Sequence, residues 1–160
     1  MKFSCDGAMV DQLVLERLGK AGVEYQLVSH QPVYTCEDAA RETDTKASVH
    51  VKAMLVLDAE NHPALALLPG DKRLSLRRMA KAIGISSVRL ATKEEVRSIL
   101  HVEPGAVSAL IAENIPMLLD VEILRNKLVY MSAGTHTESV VMNPRDFHRF
   151  TKARLTSISE

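Results

Sequence analysis

The chain has no tryptophan and only three phenylalanines and three tyrosines in 160 residues. It therefore lacks the repeated aromatic platforms on which proteins stack runs of unpaired bases. It has two cysteines, Cys5 and Cys36, too few for a disulfide framework and without the CxxC spacing of a zinc site, so both read as free thiols. Neither charge is in surplus, with 20 Lys and Arg against 20 Asp and Glu. Nonspecific nucleic-acid binders and proteins lying on anionic membranes need a cationic excess, so any polyanion here must be held by local clusters. The start, Met1 to Asp6, lacks the apolar run of a secretory signal, and no stretch reaches the roughly 20 apolar residues of a membrane span. The expectation is a cytoplasmic chain with no membrane partner.

The absent motifs narrow the chemistry further. No GxGxxG follows a strand, and Pro69-Gly70-Asp71-Lys72 lacks the upstream glycine and following hydroxyl of a phosphate-binding P-loop. The six histidines show neither HxH nor HExxH spacing, so no metal site is assembled locally. No GxSxG elbow is present. Cys36 has no histidine beside it in sequence and reads as a helix-start residue rather than a nucleophile. No cofactor and no metal are expected.

What is present is an ordinary core: 46% of the residues are hydrophobic, and a domain of this length buries close to 70% of its unfolded surface. We read residues 1–160 as one domain. Helical and strand periods alternate, which means α/β or α+β. Val10, Leu13, Val14 and Leu18 recur at helical spacing before Gly22. Glu24 to Val28 reads as a strand, and Thr35 with Asp38 opens a second helix with Cys36 in its first turn. Val49 to Leu57 and Ala64 to Leu68 form a hairpin around Asn61-His62-Pro63. Leu76, Met79, Ala80 and Ile83 make a helix that stops at Gly84; Val88 to Leu90 is a short strand, and Thr92 to Glu95 is a capping box. Pro116 to Val121 is a buried strand. Lys127 to Met131 and Glu138 to Met142 form a second hairpin, and Asn143-Pro144 starts a final helix bearing Phe147 and Phe150. The sum is about seven strands and five helices.

Three features stand out from this frame. Lys52 lies inside the apolar run Val49 to Leu57, on the face of His50, Met54 and Val56. Such a lysine either guards the exposed start of an edge strand or reaches into a cleft to meet an anion. Two loops, Glu103 to Ser108 and Ser132 to His136, each carry a glycine. They are either plain turns or places where unpaired amides meet a developing oxyanion. His136 faces either solvent or the site. Arg73, Arg77 and Lys81 at i, i+4 and i+8 make one cationic stripe, and Arg145, Arg149 and Lys152 a second; each is a solvated helix face or a track for the phosphates of a polyanion.

The strand lysine, the segment Leu68 to Leu76 leading into a helix, the Gly105-Ala106-Val107-Ser108 loop and the Ala133-Gly134-Thr135-His136 hairpin occur in an order that resembles the YbaK and prolyl-tRNA editing-domain family, from about Asp11 to Phe150. Members are aminoacyl-tRNA deacylases, standing alone or inserted in synthetases, and the resemblance implies one mixed sheet of about seven strands curled around a cleft, with the helices packed outside it. The resemblance implies that Lys52 contacts the terminal adenosine of tRNA and is needed for hydrolysis. It implies catalytic roles for Gly105 and His136, and places Ala53, Ala106, Ser108, Gly134 and Thr135 against the substrate. It further implies aminoacyl-tRNA as partner, a synthetase as a second one, and no cofactor. Ala53 stands where a subclass acting on alanine attached to proline tRNA has Asn, and Ala109 and Ile111 stand where relatives often have Pro and Gly. A noncatalytic module binding a tRNA end, a nucleotide or a synthetase is the alternative reading. The small residues Ala53, Gly105 and Ala106 imply a pocket for a small mischarged side chain.

Overall fold

The computed structural model describes residues 12–160, so the cysteine at position 5, Val10 and Asp11 lie outside the described residues. In chain order the elements are α1 (Gln12–Lys20), β1 (Tyr25–Ser29), α2 (Cys36–Thr43), a 3-10 turn (Ala47–Val49), β2 (Val51–Leu57), β3 (Pro63–Pro69), α3 (Leu76–Ile83) and β4 (Arg89–Leu90). They continue through α4 (Lys93–Leu100), β5 (Met117–Asp120), a second 3-10 turn (Val121–Arg125), β6 (Val129–Ser132), β7 (Glu138–Met142), α5 (Pro144–Thr151) and β8 (Arg154–Thr156).

Local signals account for the element boundaries. The Thr35 hydroxyl accepts from the Asp38 amide at 3.0 Å, and the Ser75 hydroxyl accepts from the Arg78 amide at 3.2 Å. Thr92 and Glu95 form the full reciprocal box, and Asn143 caps α5 with Pro144 at its first position. Each such cap satisfies a backbone donor that has no partner within the helix, typically contributing about 1 kcal/mol.

The α+β class holds, but the strands divide into two sheets rather than one. A five-stranded mixed sheet runs β4-β2-β3-β5-β8, and a three-stranded antiparallel sheet runs β1-β7-β6. Among the described residues one isolated parallel bridge, between His50 and Tyr130, links the backbones of the two sheets, too short to make a continuous ladder. The eighth strand, Arg154–Thr156, is three residues long and largely exposed, so it carries neither an apolar run nor an alternation. It pairs in parallel with β5, Leu119 lying opposite Leu155.

Strand parity assigns the two faces of the larger sheet. Leu55, Leu65, Leu67 and Leu119 share a core with Val14 and Leu18 of α1, Met131 and Val140 of the smaller sheet, and Phe147 of α5. Val56, Ala64, Ala66 and Leu118 form a second cluster with Met79 of α3 and Ile158. Ala64 and Ala66 are small enough for α3 to approach, which fixes the helix behind β3. Fully burying side chains of this size contributes about 1.5–3 kcal/mol each.

One departure concerns the first cationic stripe. Ser75 caps α3, so Arg73 precedes the helix, and its backbone pairs with Glu160 through amide–carbonyl distances of 3.3 and 2.8 Å. Only Arg77 and Lys81 sit one turn apart on the exposed face of α3.

Candidate active site

β4 covers only the far end of β2, at Val56 and Leu57, leaving the edge from Val51 to Met54 unpaired on that side. There the two sheets part, and a cavity of about 350 Å³ opens between β2, β6, the start of α2 and the loop carrying Gly105. The uncovered edge explains how a lysine is tolerated in the strand: Lys52 is half-buried and lines this cavity. Its Nζ donates to the carbonyl of Lys72 at 2.7 Å. No carboxylate among the described residues pairs with it, so the ammonium keeps donors for a ligand. Lys52 thus stands on an uncovered stretch of strand edge that is also a cleft wall.

The turn beyond β3 closes the floor. A Cβ on Gly70 would lie 2.6 Å from the Ala47 carbonyl oxygen and 2.6 Å from Cβ of Cys36, so only glycine lets this backbone pass behind the cavity. Cys36 itself lines the cavity, but burial pushes its thiol up to about 11, against a partial opposing pull from the Lys52 charge and a further push from Glu37. At neutral pH it is a thiol and not a nucleophile.

His50 lies on the cavity wall with 3% of its surface exposed. Its Nε2 is 2.7 Å from the Thr45 hydroxyl, and its ring stacks on Tyr130 at 4.9 Å between centroids. Burial, with a smaller contribution from His30, lowers its pKa to about 4, so the ring is neutral at physiological pH. Among the described residues no three His, Cys, Asp or Glu side chains converge as a metal site requires.

At the mouth, Tyr34 is 62% exposed and contacts the His136 ring with centroids 4.5 Å apart. A His136 ring nitrogen, Nδ1, is 3.0 Å from the Val33 carbonyl, which orients the imidazole. Gly105 has φ +92°, and a Cβ there would lie 3.3 Å from both Cε1 of His136 and the Tyr34 carbonyl. This glycine is needed twice over, for its backbone angle and for the close approach to the Tyr34–His136 pair.

Lys52, Ala53, Gly105 and Thr135 therefore line the cavity, with His136 against its rim. Ala106 and Ser108 do not line it: Ala106 is buried, and the Ser108 hydroxyl accepts from the Leu110 amide at 3.1 Å inside the core. Gly134 packs against Ile111, and Ala109 is buried in the main core, so these two replaced positions fill the space behind the loop. Arg77, Lys81, Arg145 and Arg149 are exposed on helix surfaces, Arg149 in an ion pair with Asp146. Sequence reasoning missed Tyr34, Glu138 and Ser139 on the cavity wall. Glu138 carries a signal of the same kind as Lys52, a charge in a strand that has no other charged residue.

Residues 30–150 match the family model of the aminoacyl-tRNA editing domain. A proline–tRNA ligase of Aquifex aeolicus is 32% identical over 121 residues, covering 74% of this chain; the chain spans only 20% of that ligase's length. A multifunctional Ser/Thr-tRNA deacylase, ProXp-y, of Escherichia coli is 24% identical over 162 residues, covering 94% of this chain and 93% of the deacylase. Among solved structures, a hypothetical protein superimposes with a TM-score of 0.86 at 30% identity, covering 92% of this chain and 99% of the other.

Proposed function

The chain belongs to the aminoacyl-tRNA editing domain family, and from that premise we propose that residues 1–160 act as one trans-editing deacylase, which hydrolyses the ester between a wrongly attached amino acid and the 3′-terminal adenosine of tRNA. The observation that carries this reading is Lys52, a strand lysine with spare donors on the wall of the cavity. Likeness along 94% of the chain to a tRNA deacylase supports the reaction, and likeness to a segment of a proline–tRNA ligase supports proline tRNA as carrier and a synthetase as the source of the error. The compartment that fits is the cytoplasm; no helix of the described residues is long and apolar enough to cross a membrane.

An aminoacyl ester is already activated, so the protein's task is placement and charge stabilisation rather than supply of a nucleophile. Water adds to the ester carbonyl carbon, the carbonyl oxygen becomes an oxyanion, and the carbon–oxygen bond to the ribose then breaks as the ribose oxygen regains a proton. The adjacent ribose hydroxyl can pass that proton. Lys52 supplies positive charge to the oxyanion or to the adenosine that carries it. The Gly105 loop lets the substrate approach the backbone. Cys36, held as a thiol, takes no part as a nucleophile. Of the small residues, Ala53 and Gly105 line a cavity that must also admit ribose, which suits a small amino-acid side chain.

The test is a panel of mischarged tRNAs, including proline tRNA bearing alanine, cysteine or serine, with ester loss followed over time. Release of one small amino acid is expected. Binding of tRNA without any ester loss would instead make the protein a noncatalytic module, and the packed Ala109–Ile111 segment the reason.

Tyr34 fits the remaining requirement, a grip on the base. An exposed ring at the mouth, held against an oriented imidazole, offers a face on which the terminal adenine stacks. Tyr34→Ala is expected to raise KM for aminoacyl-tRNA by about 5- to 150-fold, the equivalent of one base stack, with kcat little changed. Tyr34→Phe should stay near the wild type. Because the chain has no tryptophan, Tyr34→Trp also provides a single tryptophan whose emission should respond to adenosine-ester analogues.

A further inference from the structure

We propose that Glu138 receives the α-ammonium group of the substrate, so that the site accepts free aminoacyl esters and rejects N-blocked ones. This inference deepens the ester-hydrolysis reading and rests on it.

Glu138 opens β7, a strand whose five residues are all buried, and it lines the cavity while only 8% exposed. Its backbone is engaged, the carbonyl accepting from the Ala133 amide at 3.1 Å and the residue pairing with Ser29 of β1. Its carboxylate makes no hydrogen bond and no ion pair among the described residues. The acids that serve structure here look different. Asp120 is buried but accepts three backbone amides, and Glu95 holds both Arg89 and the Thr92 amide.

A buried carboxylate costs free energy unless a cation or several donors meet it, and protein interiors almost always provide them. Here the protein provides none, and the open side of the group is the cavity. The ligand must then bring the donor. Every aminoacyl-tRNA carries one at a fixed place, an ammonium on the carbon next to the ester carbonyl. A cation is the group that best repays removal of a carboxylate from water. Lys52 and Glu138 give the cavity one charge of each sign, matching an ester whose oxygen becomes negative while its amine stays positive. With the amine fixed, the side chain is left to the apolar part of the wall, where Ala53, Val107 and Met131 stand. A substrate whose amine is acylated has lost its charge and carries extra bulk at the point where the carboxylate waits.

The experiment compares kcat/KM of the wild type, Glu138→Gln and Glu138→Asp on one mischarged aminoacyl-tRNA and on its N-acetylated form. Binding of the uncleavable 3′-amide analogue of aminoacyl-adenosine, with free and with acetylated amine, is measured in parallel. The wild type should prefer the free amine by about 100-fold or more, both in hydrolysis and in binding. Glu138→Gln should lose most of that preference, chiefly through the free-amine substrate, and Glu138→Asp should keep part of it. Equal use of both forms by the wild type overturns the proposal. So does an equal fall on both forms in Glu138→Gln, which would mark a general base or a damaged fold. Hydrolysis of neither form, with analogue binding that still prefers the free amine through Glu138, would end the deacylase reading and leave this recognition standing.

Discussion

Replacing Lys52 with alanine is expected to lower ester hydrolysis by on the order of 100-fold or more, the scale on which one positioned charge or donor contributes at an oxyanion. The structure separates this effect from a loss of fold. Lys52 is half-buried on an uncovered stretch of β2, and the one hydrogen bond of its side chain among the described residues is the 2.7 Å contact with the Lys72 carbonyl. Losing that bond costs about 1 kcal/mol, which thermal unfolding would register as a small shift. The main-chain pairing of β2 with β3, Lys52 opposite Leu68, does not involve the side chain. Lys52→Arg is a sharper probe. It keeps the charge but replaces a compact ammonium with a planar fork that does not fit the same point, so it should recover only a minor part of the rate. Full activity in a folded Lys52→Ala protein would falsify the assignment.

Lys52 was legible in the sequence because a charge within an apolar strand run demands an explanation, and the run itself was unmistakable. The same logic locates the helix caps, since Thr35, Thr92 and Asn143 act through hydrogen bonds only two or three residues long. What depends on distant partners was not legible. β8 is a strand only because β5 offers it an edge, and nothing in Arg154 to Thr156 announces that. The cavity wall shows the same division. Tyr34 sits in a loop with no periodicity and becomes a rim residue only by meeting His136, which is far away in the chain. Ser108 points the other way: the glycine loop is real, but its hydroxyl turns inward to serve the Leu110 amide.

Three charged residues, Lys52, Asp120 and Glu138, stand in strands that hold no other charge, and their partners sort them. Asp120 has its acceptors filled from the backbone, Lys52 spends one donor on a carbonyl, and Glu138 has no partner among the described residues. A charged group whose hydrogen-bonding capacity is filled by the protein holds the protein together; one whose capacity is left open toward a cavity is available to a ligand. Of the three, the sequence reading singled out only Lys52, and it is the fold that tells the roles apart.

The structural member of that set supports the second large effect. Asp120 accepts from the Glu122 amide at 2.9 Å through Oδ1, and from the Ile158 and Ser159 amides at 2.9 and 2.8 Å through Oδ2. It thereby pins the C-terminal segment, which in turn receives the Ser75 amide on the Ile158 carbonyl at the start of α3. Asp120→Ala leaves these donors without their acceptor and is expected to cost on the order of 4 kcal/mol, or a fall in Tm of roughly 10 °C, measured by urea and thermal unfolding. Asp120→Asn, which retains one oxygen acceptor, should fall between the alanine variant and the wild type.

The acid profile follows from the same contacts. Burial alone would raise the Asp120 pKa, but the amides of Glu122, Ile158 and Ser159 outweigh it and hold the carboxyl below its ordinary 3.8. A depressed carboxyl contributes stability that is present above the ordinary value and lost as pH falls through the lower folded one. His50 acts in a higher window. Its pKa falls from 6.5 in the unfolded chain to about 4 in the fold, so the unfolded state binds more protons between those values and stability declines as pH drops across them. Wild-type stability should therefore weaken first between pH 6.5 and 4, a slope that His50→Gln removes. The gap between wild type and Asp120→Asn should hold through that range and narrow only below 3.8. A gap that already closes near pH 6 would mean that Asp120 is protonated in the fold and that something other than its charge secures the C-terminal segment.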